Sequence, residues 1–291
     1  MGSDSQLTLI DIECPDIDSD RTHRLACRQW GDPDNPKVLL CVHGVARNAR
    51  DFDTIAAFLS SHYRVLCPDM AGRGDSEWLA DPSHYAVPQY MVDIKALLAA
   101  LNIPSVDYLG TSMGGIVGMC LASEANSLIH SLLLNDIGPF VPQSSLAPIA
   151  QYLGAERFTD TQAALAYVKM RYQSWGELTS EQWQKVASDS TRAHPEGGLC
   201  LHYDPEIAVN ARLGAISDLD LWALWQAISC PVGVLRGQDS TILTAETLAQ
   251  MQHTKPSLES LVIPGVGHVP PLLSKNECDW VARWYQQHGQ P

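Results

Sequence analysis

The sequence predicts an α/β protein, a mostly parallel, doubly wound sheet with a helical segment inserted into it. Three observations carry this expectation. Short apolar runs alternate with longer stretches of helical period from Lys37 to Pro139, the order that builds a parallel sheet through helical crossovers. Apolar residues follow one another without alternation along Lys37–Val42, as in a strand covered on both faces. The alternation then lapses from about Pro142 to Leu224, roughly 80 residues where a connection needs only a few, and resumes at Pro231. The expected organisation is a core of residues 1–138 and 227–291, with residues 139–226 as a helical lid between its two parts.

Taken in order, Leu7–Ile12 and Arg24–Trp30 read as strands, the second closing on the turn Gly31-Asp32-Pro33. Lys37–Val42 ends in His43-Gly44-Val45, and Asp51–Leu59 sets Phe52, Ile55, Ala56 and Leu59 on one helical face. Tyr63–Cys67 is the next strand, leading through Asp69 into the loop Gly72-Arg73-Gly74-Asp75-Ser76. Tyr90–Leu101 carries a helical stripe of Met91, Ile94, Leu97, Leu98 and Leu101. Val106–Leu109 and Ile129–Leu134 are strands on either side of a helix over Ile116–Ala122. The inserted block is rich in aromatics, among them Tyr152, Tyr167, Tyr172 and Trp175, and shows no clear strand. Beyond it come a strand at Pro231–Leu235, a helix at Glu246–Met251, a strand at Leu258–Ile263 and a helix at Lys275–His288.

The stretch Gly110-Thr111-Ser112-Met113-Gly114 joins a strand to a helix, the setting in which Gly-x-Ser-x-Gly forms a nucleophile elbow. A tight turn holds the serine in strained dihedrals, so its neighbours must lack a Cβ for strand and helix to approach. The helix then opens beneath the serine with unpaired N–H groups that favour negative charge. Nucleotide binding is excluded as a better account, because the glycines lack Gly-x-Gly-x-x-Gly spacing and no Gly-Lys-Ser/Thr follows.

The 291 residues carry a formal net charge of −14, which argues against nucleic acid or an anionic membrane as partner and leaves a small-molecule substrate. None of the eight cysteines forms a Cys-x-x-Cys pair, and several lie in apolar runs, so buried free thiols and a reducing, cytoplasmic compartment are expected. No charged-then-apolar leader opens the chain, and no apolar run reaches the ~18 residues of a membrane span.

Four motifs in this order, His43-Gly44, Gly72-x-Gly74-x-Ser76, the elbow at Ser112 and the glycine-flanked His268, resemble the α/β-hydrolase superfamily from about Trp30 to the C-terminus. Within it the sequence is similar to lidded carboxylesterases and to hydrolases of carbon–carbon bonds. The resemblance implies that Ser112 and His268 form the catalytic pair, and that the N–H groups of Val45 and Met113 make the oxyanion hole. It assigns His43 a structural part. The superfamily usually places the acid three residues past the glycine that ends the next strand. Ser240 stands there, so Asp239, one residue earlier, is the first choice, and Asp136, after Leu132-Leu133-Leu134, is the second. Asp69 and Asp75 are expected to hold the Gly-rich loop, and Arg47 and Asn48 read either as lining the pocket mouth or, the preferred reading, as solvated loop.

The implied activity needs no metal or cofactor. Ser112 attacks the carbonyl of a small, largely apolar carboxylic ester and passes through an acyl-enzyme. A lactone, a thioester, a carbon–carbon bond beside a carbonyl, or cofactor-free haloperoxidase chemistry stay open as alternatives. A small-molecule receptor on the same fold is the reading from another class.

Overall fold

A computed structural model of the chain describes residues 7–291; the opening six residues, where a leader would begin, lie outside the described residues. Eight strands form the central sheet: β1 (Leu7–Pro15), β2 (Thr22–Trp30), β3 (Val38–Val42), β4 (Arg64–Pro68), β5 (Val106–Thr111), β6 (Ile129–Asn135), β7 (Val232–Gly237) and β8 (Glu259–Ile263). Their spatial order is β1-β2-β4-β3-β5-β6-β7-β8. β2 is antiparallel to both of its neighbours, and all the other pairs run parallel. The expected mostly parallel, doubly wound sheet is therefore present. β1 runs past the expected Ile12 because all nine of its residues pair with β2, from Leu7 with Trp30 to Pro15 with Thr22.

Ten α-helices accompany the sheet among the described residues: α1 (Asp53–Leu59), α2 (Val87–Ala100), α3 (Met113–Ala122), α4 (Gln143–Tyr152), α5 (Thr161–Arg171), α6 (Ser180–Asp189), α7 (Ile207–Gly214), α8 (Trp222–Ala227), α9 (Ala245–Thr254) and α10 (Lys275–His288). Successive residues of a strand face opposite sides, and the two sides carry separate cores. Leu40, Val42, Tyr108, Leu132 and Leu134 pack with Ile94 and Leu97 of α2, Val117 and Leu121 of α3 and Trp225 of α8. Leu39, Cys41, Leu109, Leu133 and Leu235 pack on the other side with Ile55 and Leu59 of α1 and with Val281, Trp284 and Tyr285 of α10. α10 starts at a capping box, in which Ser274 and Glu277 satisfy each other's backbone N–H groups, and ends where expected, at His288.

Residues between β6 and β7 form the inserted segment, with α4 to α8 and a small cluster of its own around Val168, Trp175, Val186 and Ala187. It also contains strands that the sequence did not lead one to expect. Arg157–Phe158, Leu199–Leu201 and Thr191–Ala193 form one small sheet, and Leu219–Asp220 pairs with Phe140–Val141. Runs of two or three residues are too short to express a period of two. All eight cysteines are unpaired, and no helix among the described residues is long and apolar enough to cross a membrane.

Candidate active site

The parallel strands β3, β5, β6 and β7 end on one edge of the sheet, and the site is assembled there. Ser112 stands between β5 and α3 with φ 51° and ψ −113°, a costly conformation for a residue with a side chain. Crowding explains the flanking glycines. A Cβ on Gly110 would lie 2.6 Å from the backbone of Gly114 and Gly115, and one on Gly114 would lie 2.0 Å from the Val42 carbonyl oxygen. The Ser112 N–H donates to the Asn135 carbonyl at 3.1 Å, which ties the elbow to the end of β6.

His268 comes from the loop beyond β8. Its Nε2 lies 2.9 Å from Ser112 Oγ, and its Nδ1 lies 2.6 Å from Asp136 Oδ2. An ionised carboxylate only accepts, so Nδ1 carries the proton and Nε2 presents its lone pair to the hydroxyl. The loop is anchored from both parts of the chain. The Gly267 N–H donates to the Ser174 carbonyl at 2.6 Å, Ser174 Oγ donates to the His268 carbonyl at 3.1 Å, and Asn135 Nδ2 donates to the Pro270 carbonyl at 3.0 Å.

Of the two carboxylates expected as acid, the structure brings Asp136, the second choice, to the ring, and leaves Asp239 away from it. Asp136 is fully buried and also accepts the Gly237 N–H at 2.8 Å and the Ser240 hydroxyl at 2.5 Å. Asp239 is exposed; only its N–H meets the histidine loop, at the Val266 carbonyl, 2.9 Å away. The physical reason is the turn after β7. The Ser240 N–H closes on the Gly237 carbonyl at 3.0 Å, which turns the Asp239 side chain outward and the Ser240 hydroxyl inward. β6 and β7 lie side by side with Leu235 opposite Asn135, so a carboxylate one residue beyond β6 reaches the same place. Ser240 was visible in the sequence as the residue at the usual acid position; its contact with Asp136 was not.

The N–H groups of Val45 and Met113 have no backbone acceptor among the described residues, and Val45 borders the cavity beside Ser112. His43 shapes that turn from beneath. Its Nε2 accepts the Met70 N–H at 2.9 Å, so its Nδ1–H donates to the Gly44 carbonyl at 2.8 Å. Arg73, 1% exposed, donates to the Val45 carbonyl at 3.0 Å and so fixes that peptide from the other side. Asp69 holds the Gly-rich loop as expected, accepting the Ala49 and Asp75 N–H groups at 2.7 and 2.9 Å.

Burial pushes the His43 pKa down to about 4. An unfolded imidazole titrates near 6.5, so between these values the unfolded chain binds the extra proton and stability falls as pH drops. The expected loss from this residue between pH 7 and pH 4 is about 3 kcal/mol. Unfolding free energies in urea across that range should therefore fall less steeply for His43→Asn than for the parent protein; parallel curves would show that His43 is not the neutral buried group described.

A cavity of about 1050 Å³ opens over Ser112 and His268, walled by β-strand ends below and by α4, α5 and α6 above. Arg47, for which solvated loop was the preferred reading, is instead 6% exposed and borders this cavity, the other reading. It pairs with Asp51, donates to Ser190 Oγ, and lies 4.8 Å over the Tyr172 ring and 5.1 Å over the Trp175 ring. Asn48, also expected in solvent, is 2% exposed and donates to the Asp189 carbonyl at 2.6 Å. The two burials share one cause: the residues that cover them, Ser190, Tyr172 and Trp175 for Arg47 and Asp189 for Asn48, lie more than a hundred residues away and leave no local signal.

Outside the cavity, Cys14, His23 and Asp93 bring possible metal-ligating atoms within 4.8 Å of one another. Burial pushes the Cys14 thiol up to about 12, so it is held as the protonated, weakly ligating form. His23 lies between Asp16 at 2.7 Å and Asp93 at 3.1 Å, an arrangement of a buried ion pair.

The arrangement at Ser112 offers a hydroxyl, an imidazole hydrogen-bonded to it, a carboxylate behind the ring, and the Val45 peptide on the wall of the same cavity. A profile of the α/β-hydrolase family matches residues 39–284. The chain is 46% identical over 260 residues to the 3-hydroxybutyrate-oligomer hydrolase of Cupriavidus necator, covering 86% of this chain and 89% of that one. Among solved structures, an α/β hydrolase from Novosphingobium aromaticivorans superposes with a TM-score of 0.87 at 33% identity, covering 98% of this chain and 100% of that one. A chain from Rickettsia typhi does so with a TM-score of 0.89 at 33% identity, covering 97% and 99%. With the layered fold and this sequence match over most of its length, the chain belongs to the α/β-hydrolase family and is a hydrolase of that type.

Proposed function

We propose that the protein is a serine hydrolase of carboxylic esters, and that short oligoesters of 3-hydroxy acids are its substrates. The observation that carries the reading is the unbroken relay from Ser112 Oγ through the His268 ring to Asp136, at 2.9 and 2.6 Å. In this reading His268 Nε2 takes the Ser112 proton as Oγ attacks the ester carbonyl. The N–H groups of Val45 and Met113 receive the charge that develops on the carbonyl oxygen, each such donor contributing about 3–4 kcal/mol to the barrier reduction. The ester C–O bond breaks, and the alcohol leaves with the proton from His268. Water, deprotonated by the same ring, then releases the acid. Asp136 keeps the proton on Nδ1 and balances the imidazolium.

The substrate class is supported by the identity to the Cupriavidus necator hydrolase and by the cavity, whose volume matches an extended ligand better than a single small ester. The segment 139–226 acts as the lid of this cavity, since α4 to α6 supply its upper wall. The unpaired thiols support a cytoplasmic setting.

The test is steady-state hydrolysis of p-nitrophenyl butyrate and of a 3-hydroxybutyrate dimer. Repeated turnover of both is expected. Release of one equivalent of product per chain followed by arrest would contradict the reading and favour a receptor.

A further inference from the structure

Although the whole chain is acidic, five residues lining the cavity are Lys or Arg and three are Asp or Glu. Four of these cations are already engaged. Arg47 pairs with Asp51, Arg50 with Asp75, and Lys185 with Asp53 and Asp189, while Arg236 donates to the carbonyls of Leu243 and Ser240. Arg171 is different. It is the last residue of α5, and no carboxylate lies within ion-pair distance of it among the described residues. Its guanidinium carbon sits 3.1 Å from the centroid of the Tyr152 ring. Its Nε is buried without a hydrogen-bond partner among the described residues. Stacking uses only the face of a guanidinium. The N–H groups lie in its plane, where they match the two oxygens of a carboxylate.

Resting on the ester-hydrolase reading above, we propose that Arg171 binds the free carboxylate at the end of a hydroxy-acid oligoester. The direction of such a chain adds a consequence. Every ester in it has its acyl part toward the hydroxyl end and its alcohol part toward the carboxylate end. A carboxylate on Arg171 therefore belongs to the leaving group. The bond cleaved is the one near the acid terminus, the product released first is a free hydroxy acid, and the acyl group on Ser112 carries the hydroxyl end. A neutral polymer, whose acid termini are rare, is then a poor substrate.

The test compares a 3-hydroxybutyrate trimer as the free acid with the same trimer capped as its carboxamide, with p-nitrophenyl butyrate as a control ester without a carboxylate. The parent protein is expected to prefer the free acid by roughly 10- to 100-fold in kcat/KM, mostly through KM, the range for a charged hydrogen-bonded contact. Arg171→Gln should bring that ratio close to one, and Arg171→Lys, which keeps the charge without the planar fork, should restore part of it. Two results overturn the proposal: equal rates on acid and amide by the parent protein, or a loss in Arg171→Gln that falls equally on both and leaves the ratio intact, as a purely structural arginine at a helix end would give. Turnover of p-nitrophenyl butyrate alongside either result leaves the esterase reading standing; absence of turnover on all three esters overturns both.

Discussion

Ser112→Ala is expected to lower kcat on any ester substrate by about 10⁶-fold, the scale on which loss of an activated serine removes the covalent route. The change deletes one oxygen and leaves the elbow in place, because alanine meets the same φ of 51° at the same backbone cost. The Gly110 and Gly114 contacts, the Asn135 hydrogen bond to the Ser112 N–H and the pairing of His268 with Asp136 do not depend on Oγ. Thermal unfolding should therefore be close to that of the parent protein while turnover vanishes. A variant that stays folded and keeps more than a few per cent of the parent kcat would mean that the hydroxyl is not the attacking group.

Asp136→Asn is expected to lower kcat by about 10⁴-fold. The asparagine amide can keep the Gly237 N–H on its oxygen, but its NH₂ then faces His268 Nδ1 across 2.6 Å. Two donors cannot share that contact, so the ring moves its proton to Nε2 and loses the lone pair that should accept from Ser112. The protein is expected to fold, since the substitution is isosteric. Asp239→Asn, on an exposed side chain, should leave kcat within about twofold. Comparable losses in both variants, or a larger one at Asp239, would contradict the assignment of the acid to the end of β6.

The choice between Asp239 and Asp136 shows what a sequence can and cannot reveal here. The strands were legible because their residues have little choice: Val38–Val42 is apolar throughout, so it is covered on both faces, and Ser112 between two glycines leaves few ways to join β5 to α3. His268 was legible for a similar reason, lying on a loop of glycines and prolines after the last strand. Which carboxylate meets the ring depends instead on which of two adjoining strand ends turns its side chain inward. The register of β6 against β7 places Asp136 and the residues after Gly237 within reach of one ring, and spacing along the chain does not distinguish them. Arg47, Asn135 and Arg171 were harder still. Their partners, Ser190, Pro270 and Tyr152, come from other elements, and an arginine beside aromatic residues in sequence says nothing of which ring it will stack on. The oxyanion donors at Val45 and Met113 are backbone groups, whose side chains carry no trace of the part proposed for them.

The most direct measurement is to treat the folded protein with a fluorophosphonate and map the adduct by mass spectrometry of the intact chain and its peptides. One adduct per chain on the peptide that contains Ser112, absent from Ser112→Ala, is the result expected of a hydroxyl activated by His268. An unmodified Ser112 in folded protein, or an adduct confined to some other residue, would contradict it.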